Sequence, residues 1–133
     1  MAETRVVPGE RDLKHISDGY RALSDPTHYI PFPRGFWIIE RLSVELFAAG
    51  GTTAPTTGAG VIVWQYHDSE AWRHHTGTIG ATLTTNILTW EPQLTMEGVR
   101  DYLCVTLTNG TATDVASVHC WARRVSGMRE DVV

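Results

Sequence analysis

Apolar and polar positions alternate along several stretches of this 133-residue chain, and the first 28 residues are its least regular part. A period of two puts every second side chain on one face of an extended backbone, so it predicts half-buried β-strands. The longest alternating stretch is Val99 to Val125, VRDYLCVTLTNGTATDVASVHCWARRV. Asn109-Gly110 divides it, and Asn-Gly between alternating runs predicts a two-residue hairpin turn of type I′. In that register Val99, Leu103, Val105 and Leu107 share a face with Ala116, Val118, Cys120 and Ala122. Thr106, Thr108, Thr111 and Thr113 then line the other face beside Tyr102, Cys104 and Trp121.

Upstream, YIPFPRG (29–35) reads as an extended lead-in or edge strand, because Pro31 and Pro33 cannot donate to a sheet ladder. Residues 36–49 form the first long predicted strand. Leu42, Val44, Leu46 and Ala48 fall on one side of it, and Glu40-Arg41 interrupts the alternation in the manner of a bulge. GGTTAPTTGAG (50–60) reads as a mobile connection. VIVWQY (61–66) is apolar on both faces, which predicts a central, covered strand with Trp64 in the core. Residues 67–77 read as a polar loop, with one helical turn near Ser69–Trp72. From Thr78 to Trp90 alternation resumes, with Ile79, Ala81, Leu83 and Ile87 in phase and Asn86 as the point of division into two strands. A short strand over Gln93–Met96 precedes the long hairpin.

In the first 28 residues, Leu13, Ile16, Tyr20 and Leu23 fall at helical spacing. The segment is either a short amphipathic helix, weakened by Gly19 and ended by Asp25-Pro26, or an extended arm carrying a few apolar anchors. The chain therefore divides into an arm (1–28), a strand-rich domain (29–125) and a charged tail, SGMREDVV (126–133). The arm is expected to lie against neighbouring copies and to be dispensable for folding. Six or seven short strands separated by turn signals give an all-β fold, an antiparallel β-sandwich or jelly-roll-like domain with an irregular N-terminal arm.

Composition adds limits more than direction. Hydrophobic residues make up 42% and charged residues 20%, a globular balance in a length suited to one core. A net charge of −4 argues against nucleic acid as a partner. No apolar run approaches the ~20 residues of a membrane span, and MAETRVVPGER lacks the apolar stretch of a signal peptide, so the expected setting is a cytosol, or a larger particle packaged there. Cys104 and Cys120 point to opposite faces in the predicted register, so two free thiols are expected.

Three groups invite chemistry. His67, Asp68, Glu70, His74 and His75 concentrate metal-ligand types in one short stretch, with Glu70 and His74 on one face of any helical turn, yet their spacing matches no standard metal motif. Cys104, Cys120 and His119 are the parts of a thiol nucleophile and its base, but His119 and Cys120 are adjacent on a strand and point apart, so buried inert thiols are expected. Trp37, Trp64, Trp72, Trp90 and Trp121 offer stacking surface, and Trp72, set in the most polar stretch, is the one expected to be exposed. No phosphate-binding loop, dinucleotide fingerprint, GxSxG or HExxH is present. Neither enzyme activity, cofactor nor metal is expected.

The loosely patterned arm, the YIPFPRG lead-in, the Thr-rich strands and the NGT turn leading to CWARRV together resemble the small β-sandwich virion proteins of tailed bacteriophages, the capsid decoration and accessory head or tail subunits. The resemblance spans most of the chain and is architectural. It implies a virion protein, assembled in the host cytoplasm, that associates with other copies of itself and with a larger protein shell, without catalysis. The alternative from another class is a carbohydrate- or receptor-binding module, which requires exposed tryptophans on one surface.

Overall fold

The structure, a computed structural model, describes residues 13–125. The charged tail at 126–133 and the first twelve residues of the expected arm lie outside the described residues. Nine strands are present among the described residues, and no helix. They are β1 (Leu13–Ala22), β2 (Thr27–Pro31), β3 (Phe36–Phe47), β4 (Ala59–His67), β5 (Glu70–Ile79), β6 (Ile87–Trp90), β7 (Leu94–Glu97), β8 (Asp101–Thr108) and β9 (Val115–Arg124). The first sheet runs β1-β9-β3, with β6 and β7 end to end along the free edge of β3, and the second runs β2-β8-β4-β5. All pairings are antiparallel, and the two sheets pack as a β-sandwich.

Most of the predicted inward positions of β3, β8 and β9 are buried. Leu103, Val105 and Leu107 of β8 and Ala116, Val118, Cys120 and Ala122 of β9 are buried, as are Leu42, Val44 and Leu46 of β3. Removing a Val or Leu side chain from water favours folding by about 1.5–3 kcal/mol, so these rows dominate the stability. In β3 the pairing with β9 slips between Ile39 and Arg41. The buried positions change parity there, from Trp37 and Ile39 to Leu42, Val44 and Leu46, as the expected bulge requires. Glu40, the extra residue, accepts from Arg123 Nε at 2.8 Å and Gln93 Nε2 at 3.2 Å. These bonds hold its carboxyl below the usual range.

The expected hairpin is corrected. β8 and β9 lie in different sheets, and residues 109–114 form an arch that crosses the sandwich. Asn109 has a φ of 63°, but Gly110 is not among the positive-φ residues, so the type I′ conformation is absent. Leu103–Leu107 and Ala116–Ala122 do meet, across the core and not side by side. The threonine face splits accordingly, with Tyr102, Cys104, Thr106 and Thr108 on the second sheet and Trp121 on the first. Val99, expected inward, is 75% exposed.

The partners of this arch come from the segment expected to be an arm. Residues 13–22 form a strand, not a helix, and β1 pairs with β9 while β2 pairs with β8. Their connection is a second arch lying beside the first, with Leu23 N donating to Asp114 O (2.8 Å), Ser24 N to Ala112 O (3.1 Å) and Leu107 N to Pro26 O (3.1 Å). Each arch satisfies backbone groups of the other that a crossing chain would otherwise leave unpaired. The expectation that residues 1–28 are dispensable for folding does not fit this arrangement.

Three further expectations change. GGTTAPTTGAG is pinned, because the fully buried Asp114 accepts from Thr56 N (2.7 Å), Thr56 Oγ1 (2.8 Å) and Thr57 N (3.3 Å). The polar loop at 67–77 is mostly β5, an edge strand whose exposure on both faces hid its period. Residues 80–86 are a loop crossing from the second sheet to the first, anchored where Asn86 exchanges backbone and side-chain bonds with Leu46.

Candidate functional site

One end of the sandwich gathers the ends of β2, β4, β7 and β9 and the starts of β3, β5 and β8. Its organising residue is Asp101, at the head of β8 and almost fully buried. Asp101 is in phase with Leu103, Val105 and Leu107, so it opens the core-facing row of that strand. The Asp101 carboxylate accepts from Glu97 N at 2.8 Å, from Gln65 Nε2 at 3.1 Å and from His67 Nδ1. It thereby ties the β7–β8 turn to the end of β4. Its hydrogen bond with His67, together with its negative charge, raises the pKa of that imidazole. Beside it Arg100 pairs with Asp68, holding the Asp68 carboxyl below the usual range.

Gln65 carries the network outward. Its Oε1 lies 2.8 Å from His74 Nε2, and Gln65, His67, Trp72 and His74 line a shallow concavity at the mouth between the sheets. Trp72 is 44% exposed, with its ring centroid 6.4 Å from that of His67. A slip in the β4–β5 pairing between Val63 and Trp64 sets this register, so that Trp72 pairs with Gln65.

On the other side of the β7–β8 turn stands Val99. Its φ is 76°, a left-handed conformation that a β-branched side chain strongly disfavours. Two backbone bonds brace it, Gly98 N to Gly35 O (2.7 Å) and Val99 N to Phe32 O (3.1 Å). Gly98 has no alternative residue, since a Cβ there would sit 1.6 Å from Pro33 O. Around Val99 lie Tyr29, Pro31, Phe32 and Tyr102. Tyr29 is 54% exposed, and Tyr102 stacks on Tyr66 with ring centroids 5.0 Å apart.

The residues singled out from the sequence are dispersed. His67 and His74 meet around Gln65, but His75 turns away to stack on Trp90 at 5.1 Å, closing the seam between β5 and β6. Glu70 and His74 share no helical face, because the segment is a strand. Among the described residues no group of three or more His, Cys, Asp or Glu is placed to hold a metal ion. Both cysteines are free and buried, and burial raises both thiol pKa values, Cys120 to about 12. His119 and Cys104 lie on different sheets, not on one face. His119 instead contacts His15 (3.0 Å) on the outer surface of the first sheet, where His15 and Arg41 both stack on Trp121.

The five tryptophans form no common platform. Trp37 is buried, Trp90 lies at the seam, and Trp121 is on the outer face of the first sheet. Trp64, expected in the core, is only half-buried, with Arg73 over its ring at 5.9 Å. The sequence reading missed Asp101 and Gln65. The available signal was their parity, since both occupy core-facing positions that an ordinary strand fills with apolar side chains.

The fold and this end define a β-sandwich with a braced, partly apolar tip beside a polar concavity. No protein-family model matches the chain, and no curated protein matches it. Solved structures of similar architecture include the Drosophila NLP core, described for pentamer formation and histone binding (TM-score 0.47, 10% identity, 86% of this chain and 98% of that one). They also include the capsid of Helicobacter pylori bacteriophage KHP30 (TM-score 0.44, 10% identity, 85% and 93%) and the family 32 carbohydrate-binding module of C. perfringens NanJ in complex with galactose (TM-score 0.47, 4% identity, 86% and 96%). The likeness is one of sandwich architecture.

Proposed function

We propose that this chain is a non-enzymatic structural assembly subunit, a phage capsid-associated or decoration protein that attaches to a larger protein shell and to other copies of itself. On this reading it is a virion protein, assembled in the host cytoplasm. Val99 carries the proposal. It is both strained (φ 76°) and 75% exposed, and folding alone rewards neither property. Strained positions persist where the surrounding structure holds them, and they cluster at functional contacts. The exposed Tyr29 and half-buried Tyr102 extend the apolar surface around it, and contiguous exposed apolar surface is characteristic of protein–protein contacts.

The test is Val99→Asn in the full chain, because asparagine accepts the left-handed conformation and removes the apolar contact. Sedimentation velocity over a concentration series is expected to show an oligomer for the parent protein and association weakened by roughly tenfold for the variant. A parent chain that stays monomeric throughout, or a variant that associates as strongly as the parent, would count against the reading.

A further inference from the structure

We propose that the concavity lined by Gln65, His67, Trp72 and His74 is a binding site for a neutral hexose, either free or as the terminal residue of a glycan. The site is separate from the Val99 contact and does not depend on the assembly role.

A pyranose presents an apolar face of C–H groups and a rim of hydroxyls, so its site needs an exposed aromatic ring beside fixed polar groups. Trp72 supplies the ring, 44% exposed at the mouth of the sandwich. The polar groups are fixed before any ligand arrives. Asp101 holds both Gln65 and His67, and Gln65 in turn engages His74 Nε2. Such preorganisation lowers the ordering cost that otherwise weakens binding of a small polar ligand.

The atoms left over fit hydroxyls. With Nδ1–H donated to Asp101, Nε2 of His67 is left over, an acceptor in the neutral ring and a donor in the imidazolium, 3.6 Å from Asp68 Oδ2. With Nε2 donating to Gln65 Oε1, His74 retains Nδ1 as an acceptor. Nε2 of His67 and Nδ1 of His74 can each pair with a sugar hydroxyl, because a hydroxyl both donates and accepts. Arg100 is paired with Asp68 and the Asp101 carboxylate stands against His67, so the site holds no unpaired positive charge, which favours a neutral ligand over an anionic one.

The test is titration of the isotopically labelled full chain with methyl glycosides of glucose, galactose, mannose and N-acetylglucosamine, and with glucuronate, followed by nuclear magnetic resonance. At least one neutral glycoside is expected to shift the Trp72 indole N–H signal and the His67 ring signals saturably, with a dissociation constant in the millimolar range. Trp72→Ala is expected to weaken that binding by about tenfold or more, and Trp121→Ala to leave it unchanged. Oligosaccharides ending in the preferred sugar then separate a glycan-end reader, which binds them more tightly, from a free-sugar site, which does not. The proposal is overturned if no neutral glycoside shifts these signals, if only glucuronate does, or if folded Trp72→Ala binds as well as the parent. Val99→Asn is expected to retain sugar binding, so failure of the assembly reading and failure of this one are read separately.

Discussion

Asp114 and Thr56, 58 positions apart, are joined by two hydrogen bonds, with Thr56 N at 2.7 Å and Thr56 Oγ1 at 2.8 Å from the two carboxylate oxygens of a fully buried side chain. The bonds attach the Gly- and Thr-rich connection between β3 and β4 to the arch between β8 and β9. Asp114→Ala leaves two backbone N–H groups and a hydroxyl without their acceptor. We expect a loss of about 2–4 kcal/mol, read by urea denaturation, because hydrogen bonds to charged groups contribute about 1.5–3 kcal/mol each and water replaces only part of what the exposed Thr56 and Thr57 donors lose.

Gly98 is required by contact with backbone. A Cβ would fall 1.6 Å from Pro33 O, which no rotamer change relieves. Gly98→Ala is expected to cost about 3 kcal/mol or more in thermal or chemical unfolding. Gly19→Ala, where nothing lies within 4 Å of the added atom, serves as the control and is expected to shift stability little.

His67 and His28 make opposite contributions to the pH dependence of stability. Hydrogen bonding and charge from Asp101 raise the folded-state pKa of His67 above the ordinary 6.5. Its contribution is therefore fully present below that value and lost as pH rises through the folded pKa. Burial lowers the pKa of His28 despite Asp18 at 3.0 Å, so its contribution is present above 6.5 and lost as pH falls through the folded value. Melting temperatures from about pH 5 to about pH 8 check this. The advantage of the parent over His67→Gln should shrink as pH rises, and its advantage over His28→Phe should shrink as pH falls.

Removal of residues 1–28 takes away β1 and the buried His28, and leaves the outer edge of β9 without its partner. Near-ultraviolet circular dichroism and denaturant titration are expected to show loss of the cooperative transition. A truncated chain that unfolds as cooperatively as the parent would return these residues to the status of an arm.

The reading of residues 99–125 as a hairpin and that of residues 1–28 as an arm fail for one reason. Alternation states which face of a strand is buried, and it says nothing about which strand lies alongside, because the ladder bonds are made by backbone groups common to every residue. Once β1 and β2 are taken as β-strands, they supply partners for β9 and β8, and the two arches can satisfy each other. The helical spacing of Leu13, Ile16, Tyr20 and Leu23 concealed this, and the pairing slip between Asp18 and Arg21 further blurred the period of β1.

The candidate site was legible only in part. Trp72 was expected to be exposed, and its polar neighbours His67 and His74 stood out by residue type. Asp101 and Gln65 gain their meaning from the register of β8 on β4, and Val99 from a backbone conformation that its own side chain disfavours.

By itself, then, the sequence determined the all-β class, the inward rows of β3, β8 and β9, and the bulge at Glu40, because each follows from side-chain period along a single strand. The tertiary structure alone decided that β8 and β9 face each other across the core, that Asp114 pins a connection rich in Gly and Thr, and that Asp101 gathers Gln65 and His67 at one end. Those outcomes depend on pairing between distant segments, where many arrangements satisfy the same local pattern and the packing of the whole chain selects one.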